Sequence, residues 1–333
     1  MVKDNTKYIL VTGAAGYIGS VVTEELLKEG RRIITLDNLV QGHRESVADG
    51  AVFIQGDLGN IDLLDKLFRD YPIEAVVHLA ARTLVGESVT NPELYFRNNL
   101  VYGLNLLNIM GKYQVHKIVF SSSCAVYGHA KKRTINEETP KNPINPYGEA
   151  KLAFERILYW YAKSYGLSSI SLRYFNAAGA SARFGEDHNP ETHLIPNVIK
   201  VALGQFKNIT VFGSDYPTKD GSCIRDYVHV IDIARAHTLA LQKLNEEGVC
   251  QAYNLGNGKG YSVLEVIDVT RKVTGAEIPV VLSERRPGDP PVLVADASLA
   301  KSRLGWEPAY AGLDVIIEGA YKWMKSHPLG YKG

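Results

Sequence analysis

The sequence predicts an α/β protein in which a doubly wound parallel sheet is followed by a smaller mixed α/β lobe. The first observation is an alternation of short apolar strands with amphipathic helices through the first half of the chain. The second is a glycine-rich turn between the first strand and the first helix. The third is a weakening of this rhythm after Asn176. We therefore expect two domains, at residues 1–176 and 177–333, with an approximate boundary that chain segments can cross.

The elements follow from the spacing of their apolar residues. In chain order, strands are predicted at 8–11, 33–36, 51–55, 75–78, 117–121 and 169–172, and helices at 21–29, at 61–70, after Pro92 and from Pro146. Beyond residue 176, Gly, Asp and Pro cluster at 213–221 and 285–291, which indicates loops. Because no internal repeat or low-complexity linker separates the lobes, we expect them to pack closely and to hold the site in their cleft.

The glycine-rich turn contains Gly13, Gly16 and Gly19, in a spacing one residue wider than the commonest dinucleotide-binding fingerprint. The missing side chains let the backbone approach a pyrophosphate. The following helix start directs its N–H groups and the positive end of its dipole at the same place. A single match of this kind also occurs in ordinary tight turns, but its position between a strand and a helix favours a dinucleotide. The turn therefore predicts a Rossmann-type domain.

An acidic residue follows the second predicted strand. Asp37 stands 24 residues beyond Gly13, where a carboxylate accepts hydrogen bonds from the adenosine ribose. Arg31 and Arg32 precede this strand instead of following it, which is typical of a solvated turn and not of a phosphate clamp. Asp37 thus favours NAD as the cofactor, with NADP as the minor alternative.

Tyr147 and Lys151 stand four residues apart just after Pro146, so on a helix they share one face. Tyrosine has a reference pKa of about 10, and lowering it by about three units requires roughly 4 kcal/mol of differential stabilisation of the phenolate. Lys151 and an oxidised nicotinamide could supply this jointly. The Tyr-x-x-x-Lys pattern is common by chance, but beside a dinucleotide turn it indicates hydride chemistry.

Composition and net charge limit the kinds of partner that the protein is expected to bind. The chain has 333 residues, of which 45% are hydrophobic and 22% charged, and its net charge is +1. We expect no nucleic-acid partner, since a net charge this small gives no strong electrostatic field. We also expect no membrane, since no apolar run approaches the ~20 residues needed to span one. With its polar N-terminal residues, the protein is expected to be soluble and cytoplasmic. The three cysteines show no metal-ligand spacing with any of the nine histidines, so neither a disulfide nor a metal site is expected.

The chain resembles the extended short-chain dehydrogenase/reductases and, over almost its whole length, the UDP-glucose 4-epimerase family. The matching segments are 11–20, 36–38, 85–88, 121–123, 126–128, 146–148 with Lys151, 172–176, 225–227, and Arg286 with 288–289. The resemblance implies a tightly held NAD that is reduced and reoxidised within one turnover. It also implies a homodimer through the long helices after Pro92 and Pro146, and a place in galactose metabolism.

The resemblance assigns roles to three residues in the reversible C4 epimerisation of UDP-glucose and UDP-galactose. Tyr147 takes the proton from the C4 hydroxyl while the cofactor takes the hydride, which leaves a 4-keto sugar. Ser123 hydrogen-bonds the same oxygen, and Lys151 holds the nicotinamide ribose. Ser121 to Ser123 could alternatively be a polar strand end, but their place at the carboxyl edge of a strand favours function.

Further residues are implied to contact the two ligands. The cofactor set shares the first domain and its boundary: Gly13, Gly16, Tyr17, Ile18, Gly19, Asp37, Asn38, Asp57, Leu58, Leu79, Ala80, Ala81, Asn98, Tyr147, Lys151 and Phe175. Asp57 could equally be a helix N-cap. The UDP-sugar set is Ser123, Tyr147, Asn176, His193, Leu194, Phe212, Arg225, Arg286, Asp289 and Leu293. Within it the arginines suit a pyrophosphate, which they can clamp bidentately.

Three positions depart from the family pattern. Thr83 stands where many members carry a lysine, so one cationic contact to the cofactor is either missing or replaced by Arg82. His193 stands where an asparagine often contacts the nucleotide sugar, and it can still donate a hydrogen bond. Leu293 replaces a bulky tyrosine that closes the hexose pocket in some members. The smaller side chain leads us to expect that UDP-N-acetylglucosamine and UDP-N-acetylgalactosamine are additional substrates.

Three other functions differ in the residues that they require. Sugar-nucleotide dehydratases place an acidic pair after the serine, where this chain has Cys124 and Ala125, so an acid for elimination is missing. A UDP-pentose epimerase acting on xylose or arabinose would use the same catalytic groups and stays an alternative. A non-catalytic NAD-binding sensor is the alternative from another class, disfavoured because Ser123, Tyr147 and Lys151 are all present.

Overall fold

The computed structural model of the chain describes residues 7–130, 134–245, 249–286 and 290–332. They form two compact units. The first comprises the residues up to Gly128 with Lys141–Arg173 and Ala234–Tyr253, and the second comprises His129–Pro140, Tyr174–Ile233 and the residues from Asn254 onward. The chain therefore passes between the units more than once.

The strands are β1 (Tyr8–Thr12), β2 (Arg32–Asp37), β3 (Val52–Gln55), β4 (Ile73–His78), β5 (Lys117–Ser123), β6 (Thr134–Ile135), β7 (Ser168–Tyr174), β8 (Asn176–Ala178), β9 (Ile209–Phe212), β10 (Ile224–His229), β11 (Cys250–Leu255), β12 (Gly260–Ser262), β13 (Val280–Ser283) and β14 (Val292–Ala295). The α-helices are α1 (Tyr17–Lys28), α2 (Ile61–Asp70), α3 (Val85–Thr90), α4 (Pro92–Phe96), α5 (Tyr102–Lys112), α6 (Pro146–Tyr165), α7 (Leu194–Ala202), α8 (Val230–Lys243), α9 (Val263–Thr274) and α10 (Leu313–Ser326).

A seven-stranded sheet in the order β11-β7-β5-β4-β1-β2-β3 organises the first unit. The pairs β1–β2, β1–β4, β2–β3 and β4–β5 are parallel. Leu10, Val76 and Ile118 in the central strands are fully buried, as expected for a sheet covered on both faces. The predicted α/β fold with a large parallel sheet is confirmed. The strand order reverses between β1 and β4, which is where ligands bind in sheets of this type.

Two helices of the first unit differ from the prediction. Helix α1 begins at Tyr17, four residues before the predicted start, because the glycine turn itself leads into the helix. The predicted long helix after Pro92 is a run of helical residues from α4 to α5, interrupted by a π-helical turn at Arg97–Val101. Such turns are rare and are frequent at functional sites. No helix among the described residues is long and apolar enough to cross a membrane.

The second unit is mixed α/β. One sheet has the order β12-β10-β14-β6, with β8 also paired to β10, and β13 pairs with β9 in a smaller sheet. Helix α9 begins with a capping box, in which Ser262 and Glu265 bond each other's backbone amides. Ile199, Val266 and Ile316 are fully buried in the core that helices α7, α9 and α10 share. A second region of mixed α/β structure is thus present, as predicted.

Candidate active site

Tyr147 and Ser123 meet at the start of helix α6. Asn145 caps this helix, since its Oδ1 accepts a hydrogen bond from the Gly148 amide at 2.9 Å. Gly148 permits close approach to the turn after β5, because a Cβ there would lie 2.6 Å from the carbonyl oxygen of Ala125. The Ser123 side chain at the end of β5 then shares a hydrogen bond with the Tyr147 phenol.

Tyr147 is half-buried, and its surroundings favour the protonated phenol. Burial raises the pKa of Tyr147 to about 12, while the hydrogen bond with Ser123 acts in the opposite direction. A phenolate at neutral pH therefore requires positive charge close to the ring. Lys151 carries one such charge, and an oxidised nicotinamide carries another.

Lys151 lies one turn further along α6 and is 2% exposed. Its Nζ donates a hydrogen bond to the carbonyl oxygen of Ser121 at 2.7 Å and lies 5.7 Å from the centroid of the Tyr147 ring. Burial lowers the pKa of the ammonium to about 7, and the negative charge of Glu155 opposes this shift. The two side chains thus lie close together, as their spacing indicates, and their catalytic roles stay a prediction.

A buried ion pair that the sequence analysis missed lies next to Lys151. The Arg173 guanidinium donates two hydrogen bonds to the Glu155 carboxylate, at 2.9 Å from Nε and 2.5 Å from Nη2, and a third to the Tyr127 hydroxyl at 2.8 Å. The Ser122 hydroxyl also donates to Glu155, at 2.6 Å. Glu155 therefore connects the helix that carries Lys151 to strands β5 and β7. In the sequence, this arrangement is indicated only by the position of Glu155 four residues after Lys151, which places both side chains on one face of the helix.

The glycine turn is shaped by close backbone contacts. Gly13 has a φ of +72°, and a Cβ on it would lie 2.5 Å from the amide nitrogen of Ala80. A Cβ on Gly19 would lie 2.0 Å from the carbonyl oxygen of Gly13, so neither position accepts a side chain without movement of the backbone. Gly16 is the N-cap residue of α1, and no side chain among the described residues caps this helix. The N–H groups of Tyr17, Ile18 and Gly19 then belong to the uncapped first turn, which suits an anionic pyrophosphate.

Asp37 at the end of β2 connects the glycine turn to the adjacent loop. Its Oδ2 accepts a hydrogen bond from the Ala15 amide at 2.9 Å, and its Oδ1 accepts one from the Leu39 amide at 2.9 Å. Burial raises the pKa of the Asp37 carboxyl, although these amide bonds oppose the shift. Each carboxylate oxygen has a further lone pair, so the predicted bond to an adenosine ribose is compatible with the backbone bonds.

Asn38 and Asp57 pair across the ends of β2 and β3, with Asn38 Nδ2 donating to Asp57 Oδ2 at 2.6 Å. The alternative in which Asp57 is a helix N-cap is wrong, because Asn60 caps α2 by accepting from the Leu63 amide. Asp57 instead accepts from the amide two residues on, at 2.7 Å. The Leu58 side chain is buried in the apolar core.

The segment after β4 lies beside the glycine turn. The Leu79 amide donates to the carbonyl oxygen of Thr12 at 3.0 Å, and the Arg82 amide donates to Asn99 Oδ1 at 2.8 Å. Asn98 and Asn99 both lie in the π-helical turn. The remaining members of this predicted set, Ala80 and Ala81, lie between these two anchored amides. Asn99 therefore fixes the backbone next to Thr83, and the loss of a cationic contact to the cofactor at Thr83 stays a prediction.

In the second unit, the predicted substrate residues form pairs. The Arg286 guanidinium lies over the Phe212 ring, 4.1 Å from its centroid. Arg225 on β10 is the register partner of Leu293 on β14, and its Nη1 donates to the carbonyl oxygen of Pro290 at 2.9 Å. Both pairs combine a guanidinium with an apolar side chain, which suits a nucleotide with a charged pyrophosphate.

Asp226, next to Arg225, was not predicted as a functional residue. It is fully buried and accepts hydrogen bonds from the backbone amides of Asn257 at 2.8 Å, Gly258 at 3.0 Å and Ala295 at 3.1 Å. Burial raises the pKa of its carboxyl to about 6, against the effect of these amides. Asn176 Nδ2 donates to the carbonyl oxygen of Asp226 at 3.1 Å. Asp226 thus fixes the strand that presents Arg225.

The other predicted residues have different surroundings. Phe175 is buried, and its amide donates to the carbonyl oxygen of Leu255 at 3.1 Å. His193 is the N-cap residue of α7, which begins at Leu194, and its Nδ1 faces carboxylates. Asp289 lies outside the described residues. That these residues contact the nucleotide sugar or the cofactor stays a prediction.

A parallel sheet with a glycine turn at its switch point defines a class of dinucleotide-dependent α/β enzymes when a serine at a strand end meets a tyrosine and a lysine one turn apart on a helix. Residues 9–256 match the model of the NAD dependent epimerase/dehydratase family. The chain belongs to this family and, within it, to the UDP-glucose 4-epimerases, as its relatives indicate.

These relatives match the chain over nearly its whole length. The UDP-glucose 4-epimerase of Halalkalibacterium halodurans is 51% identical over 325 residues, which are 97% of each chain. The crystal structure of UDP-glucose 4-epimerase from Brucella ovis in complex with NAD has a TM-score of 0.92 at 44% identity, covering 95% of this chain and 98% of that one. The corresponding enzyme from Bifidobacterium longum, in complex with NAD+ and UDP, has a TM-score of 0.92 at 39% identity, with coverages of 97% and 100%.

Proposed function

We propose that the chain catalyses the reversible C4 epimerisation of UDP-glucose and UDP-galactose through a 4-keto intermediate. The observation that carries this proposal is the hydrogen bond between Ser123 and Tyr147 beside the buried Lys151. We further propose that the first unit holds NAD and the second the UDP-sugar. A cytoplasmic location and a place in galactose metabolism stay predictions.

NAD, when bound, would supply the hydride acceptor and the positive charge of its oxidised ring. Tyr147, as phenolate, accepts the proton of the C4 hydroxyl when the C4 hydride leaves, so that the C4–O bond becomes a carbonyl. Ser123 hydrogen-bonds this oxygen and relays the proton. Once hydride has been given back to the other face of the keto sugar, Tyr147 would return the proton to the C4 oxygen. The sum is an inversion at C4 without net oxidation.

The direct test incubates the purified chain with UDP-galactose and follows UDP-glucose by anion-exchange chromatography or proton NMR. One arm receives added NAD and the other does not. Conversion in both arms is expected, because the proposal includes a tightly held cofactor. Tight NAD without any turnover of UDP-galactose would contradict the proposal and favour the non-catalytic sensor. Turnover of UDP-xylose alone would favour the pentose alternative.

Leu293 leads to a second prediction, on substrate range. Leu293 is half-buried beside Arg225. Leucine is smaller than the tyrosine that the family resemblance implies at this position in some members. We propose that the chain also epimerises UDP-N-acetylglucosamine and UDP-N-acetylgalactosamine. Leu293→Tyr is expected to lower kcat/KM for the acetamido sugars at least about tenfold, the effect of roughly 1.4 kcal/mol, while UDP-galactose turnover changes little. Full acetamido-sugar turnover by Leu293→Tyr would exclude this role of Leu293.

We also propose that the chain forms a homodimer through the faces of α4, the π-helical turn and α6. Large apolar side chains are exposed there, with Trp160 65%, Val101 48% and Phe96 37% accessible. Exposed apolar residues grouped on neighbouring helices are typical of a surface that a partner covers. Analytical ultracentrifugation of the full chain tests this proposal, and a purely monomeric species at assay concentrations would refute it.

A further inference from the structure

Four potential metal ligands converge in the segment between β8 and α7. They are Glu186, His188, Glu191 and His193, and one ligand atom from each lies within 4.8 Å of all the others. His193 Nδ1 lies 2.8 Å from Glu186 Oε1 and 2.9 Å from Glu191 Oε1. His188 Nδ1 lies 3.1 Å from Glu186 Oε1 and 3.8 Å from Glu191 Oε2. Both imidazoles therefore direct the same ring nitrogen towards the same two carboxylates.

The carboxylates are held away from water. The side chains of Glu186 and Glu191 are 7% and 4% exposed, whereas those of His188 and His193 are 21% and 47% exposed. Two carboxylates buried this close together repel each other and lose hydration, so the arrangement needs positive charge between them. Protonated imidazoles can supply it as ion pairs. A divalent cation supplies it to both carboxylates at once.

The backbone around the cluster is fixed from the other side. The Gly185 amide donates to the Tyr331 hydroxyl at 3.1 Å, and Asp187 Oδ2 accepts from the Tyr331 amide at 3.0 Å. A Cβ on Gly185 would lie 2.2 Å from the Trp323 ring, so the chain approaches this ring closely. Residues 185 and 187 thus face the C-terminal segment, while residues 186 and 188 face the cluster. Four ligands on a segment anchored in this way are held in place before an ion binds.

We propose that Glu186, His188, Glu191 and His193 bind one divalent transition-metal ion, for which zinc is the best match. Two imidazole nitrogens and two carboxylate oxygens form a ligand set that suits zinc, whereas magnesium and calcium prefer six or more oxygen ligands. Zinc bonds of about 2.0–2.1 Å place the corners of a tetrahedron about 3.4 Å apart. His193 Nδ1 lies 2.8 and 2.9 Å from Oε1 of Glu186 and Glu191. His188 Nδ1 lies 3.1 Å from Glu186 Oε1 and 3.8 Å from the other oxygen of Glu191, so small side-chain rotations would bring the four ligand atoms to that spacing.

The ion would fix the segment that enters α7. His193 is the N-cap residue of this helix, and the predicted substrate residue Leu194 follows it. With Nδ1 bound to metal, His193 could contact a nucleotide sugar only through Nε2. The spacing between cysteines and histidines does not indicate this cluster, because the cluster contains no cysteine. The inference does not depend on the proposed reaction.

The experiment measures metal in the full chain, purified without chelators and with any affinity tag removed. Inductively coupled plasma mass spectrometry is expected to give about one zinc ion per chain, as one four-ligand site requires. His188→Gln and Glu191→Gln are expected to lose the stoichiometric metal. His129→Gln is the matched control, since His129 is an exposed histidine of the same unit outside the cluster and should leave the content unchanged.

A second measurement covers the case in which the variants fail to fold. Wild-type chain stripped of metal and reloaded with Co²⁺ is expected to show the visible d–d absorption of a tetrahedral nitrogen–oxygen site. Added Zn²⁺ should abolish it. Absence of stoichiometric transition-metal binding by the wild type, before and after reloading, would overturn the proposal, as would folded variants that retain the metal. NAD content and UDP-galactose turnover, measured in parallel, report separately on the proposed reaction.

Discussion

Tyr147→Phe is expected to lower kcat for UDP-galactose epimerisation by about 10²–10⁴-fold, the range over which a positioned acid or base contributes to catalysis. The variant keeps the ring next to Lys151 and removes the oxygen that bonds to Ser123. Binding of NAD should persist, because the glycine turn and Asp37 are unchanged. The measurements are steady-state turnover and the NAD released from denatured protein.

Tyr165→Phe is the matched control for this prediction. Tyr165 lies on the same helix and is 66% exposed, so its hydroxyl is expected to make no contribution to turnover. If Tyr147→Phe kept kcat within about threefold of wild type, the proton would have to pass through another group. This result would contradict general acid–base catalysis by Tyr147. A parallel loss of NAD would instead show that the variant disturbs the cofactor site.

The parts of the site that the sequence predicted are those held within one element or at one strand end. Tyr147 and Lys151 are one helical turn apart, so their spacing alone determines that they share a face. The turn requires glycine at positions 13 and 19, because a Cβ there would lie 2.5 and 2.0 Å from backbone atoms. This requirement is visible in the sequence as the spacing of the glycines. Asp37 is the last residue of β2, so its position at the edge of the sheet follows from the strand alone. Local geometry is sufficient in each of these cases.

Contacts between distant segments were not predictable in this way. The pairing of Glu155 with Arg173 depends on the packing of α6 against the sheet, which apolar periodicity indicates but does not place in register. The alternative that made Asp57 the N-cap of α2 placed the cap three residues too early, since the N-cap is Asn60. Several polar residues precede this helix, and only the backbone conformation shows which of them is the cap. The convergence of His188 and His193 on two carboxylates similarly depends on the path of a loop.

Glu155→Gln is expected to lower the free energy of unfolding by about 3–5 kcal/mol, the cost of removing one partner from a buried ion pair. The Arg173 and Glu155 side chains are 5% and 9% exposed, so the guanidinium would keep its charge without a buried counter-charge. Burial alone would lower the pKa of Arg173, but its bonds to Glu155 outweigh this and raise it. The pair therefore stabilises the charged form, and urea denaturation monitored by circular dichroism measures the loss.

The same substitution is expected to lower turnover at neutral pH through Lys151. The charge of Glu155 raises the pKa of Lys151 against the effect of burial, so its removal moves that pKa below about 7 and leaves less ammonium beside Tyr147. Glu149→Gln, an exposed change on the same helix, should alter stability by no more than about 0.5 kcal/mol and leave turnover unchanged.

The double variant Glu155→Gln, Arg173→Gln should lose less unfolding free energy than the sum of its single changes, because each single change leaves one polar partner unpaired. Strict additivity of the losses in unfolding free energy would show that the two residues do not act as a pair. Turnover of Glu155→Gln equal to wild type at neutral pH would show that Glu155 does not support the charge on Lys151.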